Sequence, residues 1–160
     1  MEYLDLYDEN GNNTGKTMIR GNKVPRGMHF NVVICFIKNS KGEYLIQKTS
    51  KQKGNLYSLT GGHVQSGQTF IEAMIREIKE EIGVEVKAEE LQYLMEYIKN
   101  GEVGCQIYLL EKDIDISQCK LQEEEVESIH WITVEEIKKL KSKDMFNRTH
   151  AKLFEKIMNL

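Results

Sequence analysis

Residues 62–84 read GHVQSGQTFIEAMIREIKEEIGV and combine a glycine-rich turn with an apolar repeat. The turn contains Gly67, and the segment that follows it stops at Gly83. The repeat is formed by Ile71, Ile75, Ile78 and Ile82. Apolar residues at steps of three and four residues form one stripe of an α-helix, and glycine commonly follows a helix end. This segment therefore predicts a turn followed by an amphipathic helix with one buried face.

Three carboxylates lie near the end of the predicted helix, at Glu77, Glu80 and Glu81. Steps of three and four residues keep side chains on one helix face, and we expect this face to lie roughly opposite the isoleucine stripe. Like charges at this spacing destabilise a helix by roughly a few tenths of a kcal/mol per pair. Hard divalent ions bind carboxylate oxygens, and Mg²⁺ also binds the phosphates of its substrate. The carboxylates and the preceding turn therefore suggest a metal-phosphate site, while a solvated acidic surface is the ordinary alternative for such a cluster.

The whole segment resembles the Nudix box, whose pattern is GX5EX7REUXEEXGU, where U is an aliphatic residue. The matching positions are Gly62, Arg76, Glu77, Ile78, Glu80, Glu81, Gly83 and Val84. At background frequencies of several per cent per residue, so many matches are expected by chance on the order of once in a hundred thousand sequences. The resemblance implies an Mg²⁺-dependent Nudix hydrolase, with Mn²⁺ as an alternative ion, that cleaves a diphosphate linkage in a nucleoside diphosphate derivative or a similar small metabolite.

One position of the box departs from the family pattern. Gln68 stands where the family has its first glutamate, and Gln65 also replaces a residue that is glutamate in many members. In the family, the missing carboxylate supports the metal cluster and pairs with the arginine that matches Arg76. Gln68 can still accept a hydrogen bond from Arg76, but it contributes no charge. We therefore expect a reduced affinity for Mg²⁺ or a reduced rate.

The resemblance also implies roles for individual residues of the box. The implied metal ligands are the Gly61 carbonyl and the carboxylates of Glu77, Glu80 and Glu81. Arg76 would orient the loop and the helix. The family draws its general base either from the box or from a later loop. The candidates are Glu77 in the box and Glu102, Glu124 and Glu125 after it.

A basic loop, KTSKQKGN, precedes the box. Its cations are Lys48, Lys51 and Lys53. Lysines of this kind are ordinarily surface residues, but a basic loop just before a metal site can also hold a diphosphate. His63, inside the glycine turn, is a further candidate for contact with the substrate.

The length and patterning predict one domain over residues 1–160, with an N-terminal hairpin extension at 1–28 and the Nudix box at 62–84. EYLDLYD alternates and then meets the turn ENGNNTG, which predicts the hairpin. The other predicted strands are FNVVICFIKN, EYLIQKTS, LYSLT, VEVKA, LQYLMEYIK, VGCQIYLLEK and VESIHWIT. Two late helices are predicted to start near Thr133 and Thr149. Strands interleaved with helices indicate an α/β/α sandwich with a mixed central sheet, which is also the Nudix fold.

Composition excludes several classes of partner. A net charge of −3 and a pI near 5.9 argue against a protein that binds duplex nucleic acid. Cys35 and Cys105 lie in apolar runs and are predicted to be buried, reduced thiols. The sequence contains neither an apolar stretch of membrane-spanning length nor a signal peptide, so we expect a cytoplasmic protein. The expected partner is a small diphosphate substrate, and a homodimer is compatible with the sequence.

Two alternatives to hydrolysis stay open. The segments DLYDENGNNTGK and EEEVESIHWITVEEI resemble the Nudix branch related to isopentenyl diphosphate isomerase. Isomerase members carry a catalytic cysteine just before the Gly-His of the box, where this chain has Thr60 and Gly61. His29 and His63 nevertheless match the isomerase metal histidines, and Glu102 resembles its strand glutamate. The second alternative is a catalytically weak Nudix-fold sensor that binds a nucleotide or diphosphate. The absence of the first box glutamate, at Gln68, is the feature that supports this alternative.

Overall fold

A mixed sheet lies at the centre of the protein, and a separate two-stranded hairpin precedes it. The computed structural model describes residues 1–159. The hairpin strands are β1 (Tyr3–Tyr7) and β2 (Asn13–Ile19). The sheet contains β3 (Phe30–Lys38), β4 (Tyr44–Thr49), β5 (Tyr57–Ser58), β6 (Thr60–His63), β7 (Leu91–Lys99), β8 (Val103–Glu111) and β9 (Val126–Ile132). The helices are α1 (Phe70–Ile82), α2 (Val134–Ser142) and α3 (Arg148–Met158).

Strand β3 organises the sheet. It runs parallel to β8 and antiparallel to β6, while β7 lies antiparallel to β8. Strand β4 pairs with β5 and β9, and it meets β3 where Lys38 lies opposite Tyr44. Strand β6 pairs with β3 from Val32 to Cys35, whereas β4 pairs with the same edge of β3 at Lys38. Gly61 and Gly62 of β6 therefore lie in the middle of the sheet.

The two faces of the sheet carry separate apolar cores. Val33, Cys35 and Ile37 of β3 pack with α1 on one face. The alternating residues Ile34 and Phe36 pack with α2 and α3 on the other. Full burial of one such side chain contributes about 1.5–3 kcal/mol. Helices on both faces of a mixed sheet confirm the predicted α/β/α sandwich.

Helix α1 follows the predicted boundaries but not the predicted division of its faces. The Thr69 hydroxyl accepts a hydrogen bond from Glu72 N at 3.1 Å, and Gly83 ends the helix with a φ of 73°. The expectation that all three carboxylates lie opposite the isoleucines is wrong, because Glu77 and Glu81 are 8% and 6% exposed. Each precedes an isoleucine of the stripe, and neighbouring residues are about 100° apart around a helix. These carboxylates therefore border the buried stripe.

Several local predictions can be compared with the structure. The predicted strand at VEVKA is wrong: the chain is irregular there, and a short 3₁₀ turn (Ala88–Glu90) follows. Its alternation has another cause, since Val86 packs into the core beneath α1. Helix α2 follows its Thr133 cap as predicted, whereas α3 begins at Arg148. The predicted burial of the free thiols Cys35 and Cys105 is confirmed.

None of the helices within residues 1–159 has the length and apolar content needed to cross a lipid bilayer.

Candidate active site

The Glu77 carboxylate lies directly against Gly62 of β6. A Cβ added to Gly62 would lie less than 3.0 Å from the carboxylate carbon and both oxygens of Glu77. A Cβ on Gly61 would lie equally close to the backbone oxygen of Val33. The two glycines are therefore required by close approach, one to a catalytic candidate and the other to the neighbouring strand.

Arg76 connects the glycine turn to the end of α1. Its Nη1 lies 2.9 Å from Glu77 Oε1 and 3.0 Å from Glu80 Oε2. Its Nη2 donates a hydrogen bond to the backbone oxygen of His63 at 2.8 Å, and its Nε donates to Gln68 Oε1 at 3.3 Å. A guanidinium with this many partners fixes the geometry of the turn relative to the helix.

Glu81 is the most buried carboxylate of this group. Its Oε2 has no hydrogen-bond partner within residues 1–159, while the rest of the carboxylate interacts with Gln47 and Glu77. Burial, followed by the negative charge of Glu77, raises the pKa of Glu81 well above its usual range. Burial also raises the pKa of Glu77, although Arg76 opposes this effect. Two adjacent buried carboxylates with an unpartnered oxygen fit a divalent cation, which would neutralise both charges.

Glu80 is placed differently from the other two carboxylates. It is exposed and held by Arg76. Within residues 1–159, the His, Cys, Asp and Glu side chains do not form a ready-made metal-binding group of three or more. The structure thus brings Glu77 and Glu81 together and leaves Glu80 on the solvent side of the same helix turn.

The basic loop reaches this region through Lys53. Lys53 Nζ lies 3.2 Å from Glu125 Oε1, and the charge of Glu125 contributes to the raised pKa of Glu81. Lys48 instead lies 3.5 Å from Glu127 and above the ring of Tyr57. Lys51 is exposed at the start of a 3₁₀ turn (Lys51–Lys53). Of the three predicted lysines, Lys53 is the one linked to the carboxylate group through a partner.

Glu102 lies away from this loop, in the exposed turn between β7 and β8. Its backbone oxygen accepts a hydrogen bond from Phe30 N at 3.1 Å. The charges that raise the pKa of Glu81 come from Glu77 and Glu125. Of the three candidates after the box, Glu102, Glu124 and Glu125, only Glu125 is among the charges that raise the pKa of Glu81.

His63 is half-buried at the end of β6. Its ring stacks on Phe30 with the centroids 5.4 Å apart, and its Nδ1 has no hydrogen-bond partner among residues 1–159. Burial, followed by the positive charge of Arg20, lowers the pKa of His63 to about 4. The imidazole is therefore uncharged near neutral pH and would meet a substrate as a neutral group.

The N-terminal hairpin binds the loop of the Nudix box, a contact that the sequence did not reveal. Ser66 N donates to the Tyr3 backbone oxygen at 2.7 Å, and Gly67 N donates to Asp5 Oδ2 at 3.0 Å. Gln65 Nε2 donates to Glu2 Oε1 at 3.1 Å. Residues some 60 positions apart form these bonds, so local patterns contain no signal for them.

Gln47 is a second residue that sequence reasoning missed. It is 6% exposed, accepts a hydrogen bond from the Thr60 hydroxyl at 3.4 Å and contacts Glu81. A signal was present, because alternation places Gln47 on the same face of β4 as the core residue Leu45. A polar residue at such a position indicates a polar partner on the covering helix.

The close approach of Gly62 to Glu77 gives a testable consequence. Gly62→Ala should lower the free energy of unfolding by about 1–3 kcal/mol, because overpacking forces neighbouring atoms to move. It should also lower activity by displacing Glu77, and chemical denaturation with a parallel rate assay would measure both effects. Adding Glu77→Ser should restore part of the stability but none of the activity. An unchanged denaturation midpoint in Gly62→Ala would contradict this packing.

Comparison with known proteins identifies the family. The NUDIX domain matches residues 28–156. An uncharacterised Nudix hydrolase of Listeria monocytogenes is 37% identical over 152 residues, which cover 91% of this chain and 88% of the relative. Nucleoside triphosphatase NudI of an Enterobacter species is 28% identical over 125 residues, which cover 71% of this chain and 89% of the relative.

The fold is shared with a protein of known structure. The crystal structure of DR0079 from Deinococcus radiodurans has a TM-score of 0.79 and 24% identity, covering 98% of this chain and 99% of that protein. Both this likeness and the domain match extend well beyond the box. The chain therefore belongs to the Nudix hydrolase family and is a Nudix pyrophosphohydrolase.

Proposed function

We propose that this protein uses Mg²⁺ to hydrolyse the diphosphate linkage of a nucleoside diphosphate derivative or a similar small metabolite. The observation that supports this function best is the buried pair of carboxylates, Glu77 and Glu81, with an oxygen of Glu81 that has no partner among the described residues 1–159. Burying charge without a partner is costly. A divalent ion and the phosphates that accompany it would supply that partner.

The ion would be held by Glu77, Glu81 and the Gly61 carbonyl, with Glu80 available from the solvent side. When bound, it would neutralise phosphate charge and lower the pKa of a bound water, and Mn²⁺ could replace Mg²⁺ in this role. Arg76 would keep Glu77 and the glycine turn in register through its bonds to Glu77 and to the His63 carbonyl. Its role is positioning, because its donors are already engaged by the protein.

A general base must lie within hydrogen-bond reach of the attacking water. Glu77 is one candidate, and it is held by Arg76. Glu125 is the candidate that we favour outside the box, because its charge acts on Glu81. A substrate phosphate would compete with Glu125 for Lys53, which would free the carboxylate to accept a proton. Glu102, at the β7–β8 turn, is the less favoured candidate.

The isomerase alternative has less support from the local geometry. Its cysteine would fall at Thr60 or Gly61, and Gly61 has no room for a side chain because a Cβ there would meet the Val33 backbone oxygen. The sensor alternative rests on Gln68, yet Gln68 Oε1 still accepts the hydrogen bond from Arg76. Hydrolysis therefore accounts for more of the site than either alternative.

A substrate panel tests the proposal. Nucleoside diphosphate derivatives, dinucleoside polyphosphates, nucleotide sugars and isopentenyl diphosphate would each be incubated with the protein and Mg²⁺. We expect phosphate-containing cleavage products from at least one nucleotide class and no dimethylallyl diphosphate. Formation of dimethylallyl diphosphate at enzymatic rates would overturn the proposal in favour of isomerisation. Binding without turnover across the panel would favour a sensor.

A further inference from the structure

A cavity lies beside the first turn of α1, between the N-terminal hairpin and strands β3, β7 and β8. Its volume is about 500 Å³, and we refer to it as the hairpin cavity. Among the described residues, its lining includes two carboxylates, Glu9 and Glu96, and neither lysine nor arginine. Three aromatic side chains also line it: Tyr7, Phe70 and Tyr97. The hairpin cavity therefore combines negative charge with aromatic surface.

The hairpin cavity is separate from the carboxylates of the Nudix box. Strand β6, where Gly62 meets Glu77, pairs with one edge of β3, and β8 pairs with the other. The cavity lies at the β8 edge, where Gly104 is opposite Asn31. Along α1, Glu77 follows Phe70 by seven residues, which corresponds to about 10 Å. A ligand of this cavity is therefore distinct from the metal and phosphates expected at the box.

Two buried polar side chains, His29 and Asn31, line the hairpin cavity at 5% and 6% exposure. A Cβ added to Gly104 would lie less than 3.0 Å from Asn31 Oδ1 and 3.0 Å from His29 Cδ2, so a glycine is required there to make room for both. The His29 ring stacks on Tyr7 with the centroids 5.8 Å apart. Within residues 1–159, however, neither nitrogen of that ring has a hydrogen-bond partner. Leaving a buried polar group unpaired is costly, and a ligand in the cavity would supply the missing partner.

The charges around His29 determine which kind of ligand fits. Glu9 and Glu96 are exposed carboxylates, and the negative charge of Asp8 also acts on His29. Burial nevertheless lowers the pKa of His29, so its imidazole is uncharged near neutral pH. A neutral imidazole has one nitrogen that accepts a hydrogen bond. The cavity therefore offers an acceptor and negative charge, which suit a positively charged donor.

An organic cation fits this cavity better than a metal ion. Within residues 1–159, the His, Cys, Asp and Glu side chains form no group of three or more that could hold a metal. The volume instead falls in the range of small-molecule sites, roughly 300–1,000 Å³. Aromatic rings attract ammonium groups through their faces, and carboxylates attract them by charge. We propose that the hairpin cavity binds a small organic ammonium compound whose N–H donates to His29 and whose charge is balanced by Glu9 and Glu96.

Three benzyl compounds of similar shape test this proposal. Benzylammonium, benzyl alcohol and benzoate would each be titrated into isotopically labelled protein with chelator present, while the amide resonances of Phe70 and Gly104 are followed. We expect benzylammonium to bind at least about 10-fold more tightly than benzyl alcohol. Benzoate should bind more weakly than either, because Glu9 and Glu96 repel it. Absence of a preference for benzylammonium would overturn the proposal.

Variants locate the site and separate it from the proposed hydrolysis, on which it does not depend. Glu9→Gln/Glu96→Gln should lose most of the preference for benzylammonium. The control Glu89→Gln/Glu135→Gln makes the same change in charge at exposed positions elsewhere and should keep it. Glu81→Gln should also keep it, because Glu81 does not line the cavity. A preference that survives in Glu9→Gln/Glu96→Gln, or displacement of benzylammonium by Mg²⁺, would overturn the hairpin cavity as an ammonium site.

Discussion

Glu81→Gln should lower kcat/KM by more than about 100-fold and at the same time raise the free energy of unfolding. Even groups that only support metal ligands change affinity or activity by about 10- to 100-fold, and Glu81 is proposed as a ligand itself. The gain in stability, about 1–3 kcal/mol without metal, follows from replacing a buried carboxyl group whose ionisation is opposed by burial and by Glu77, and whose Oε2 has no partner within residues 1–159. Rate assays with Mg²⁺ and denaturation with chelator would measure the two effects.

Glu80→Gln is the matched control, because Glu80 belongs to the same carboxylate group but is exposed. It should also lower activity, since we propose Glu80 as a further ligand of the ion, but it should leave the stability within about 0.5 kcal/mol of the parent. A gain in stability seen in Glu81→Gln but not in Glu80→Gln would show that the buried carboxylate needed for activity is also the one that lowers stability. Full turnover by Glu81→Gln, or by the parent in excess chelator, would contradict the proposed role of these residues.

Gln68→Glu should tighten Mg²⁺ binding and raise the rate at limiting Mg²⁺ by about 10- to 100-fold. Gln68 Oε1 already accepts hydrogen bonds from Arg76 Nε and Gln65 N. A glutamate at position 68 can accept the same two hydrogen bonds. It would also add a negative charge next to Arg76, which pairs with both Glu77 and Glu80. Paired titrations of Mg²⁺ binding and product release, on the parent and the variant, would measure the gain.

Gln65→Glu is the control for this change. Gln65 Nε2 donates to Glu2 Oε1, so a carboxylate at position 65 would lose that bond and face a like charge. It should therefore not increase Mg²⁺ affinity, although it adds the same charge three residues away. Unchanged ion affinity in Gln68→Glu would show that Gln68 does not support the ion. Tighter binding without faster turnover would favour a sensor.

Much of the fold could be predicted from the sequence because its elements depend on local patterns. The alternation in β1, the apolar run of β3 and the isoleucine repeat of α1 each identify an element without reference to the rest of the chain. The strand prediction at VEVKA is wrong because it, too, depends on a local pattern alone. A two-residue alternation records which side chains are buried, and Val86 is buried beneath a helix rather than in a sheet.

The candidate site could be predicted at the level of its residues but not of its arrangement. The spacing of the box pointed to Arg76 and the glutamates, but it left Glu77 and Glu81 on the wrong face of α1. Glu77 and Glu81 lie at the border between the two faces of α1. Whether such border residues are buried depends on the strand that packs against the helix, here β6 with its two glycines. The contacts of the hairpin with Ser66 and Gly67 depend on long-range packing, which spacing does not encode.

Anomalous diffraction from crystals grown with Mn²⁺ tests the central claim most directly. We expect an anomalous peak from an ion bound by carboxylate oxygens of Glu77 and Glu81 and by the backbone oxygen of Gly61. The same crystals of Glu81→Gln should lack that peak. A peak held by other residues, or an ion that stays in place in Glu81→Gln, would contradict the assignment of the buried carboxylate pair as the metal site.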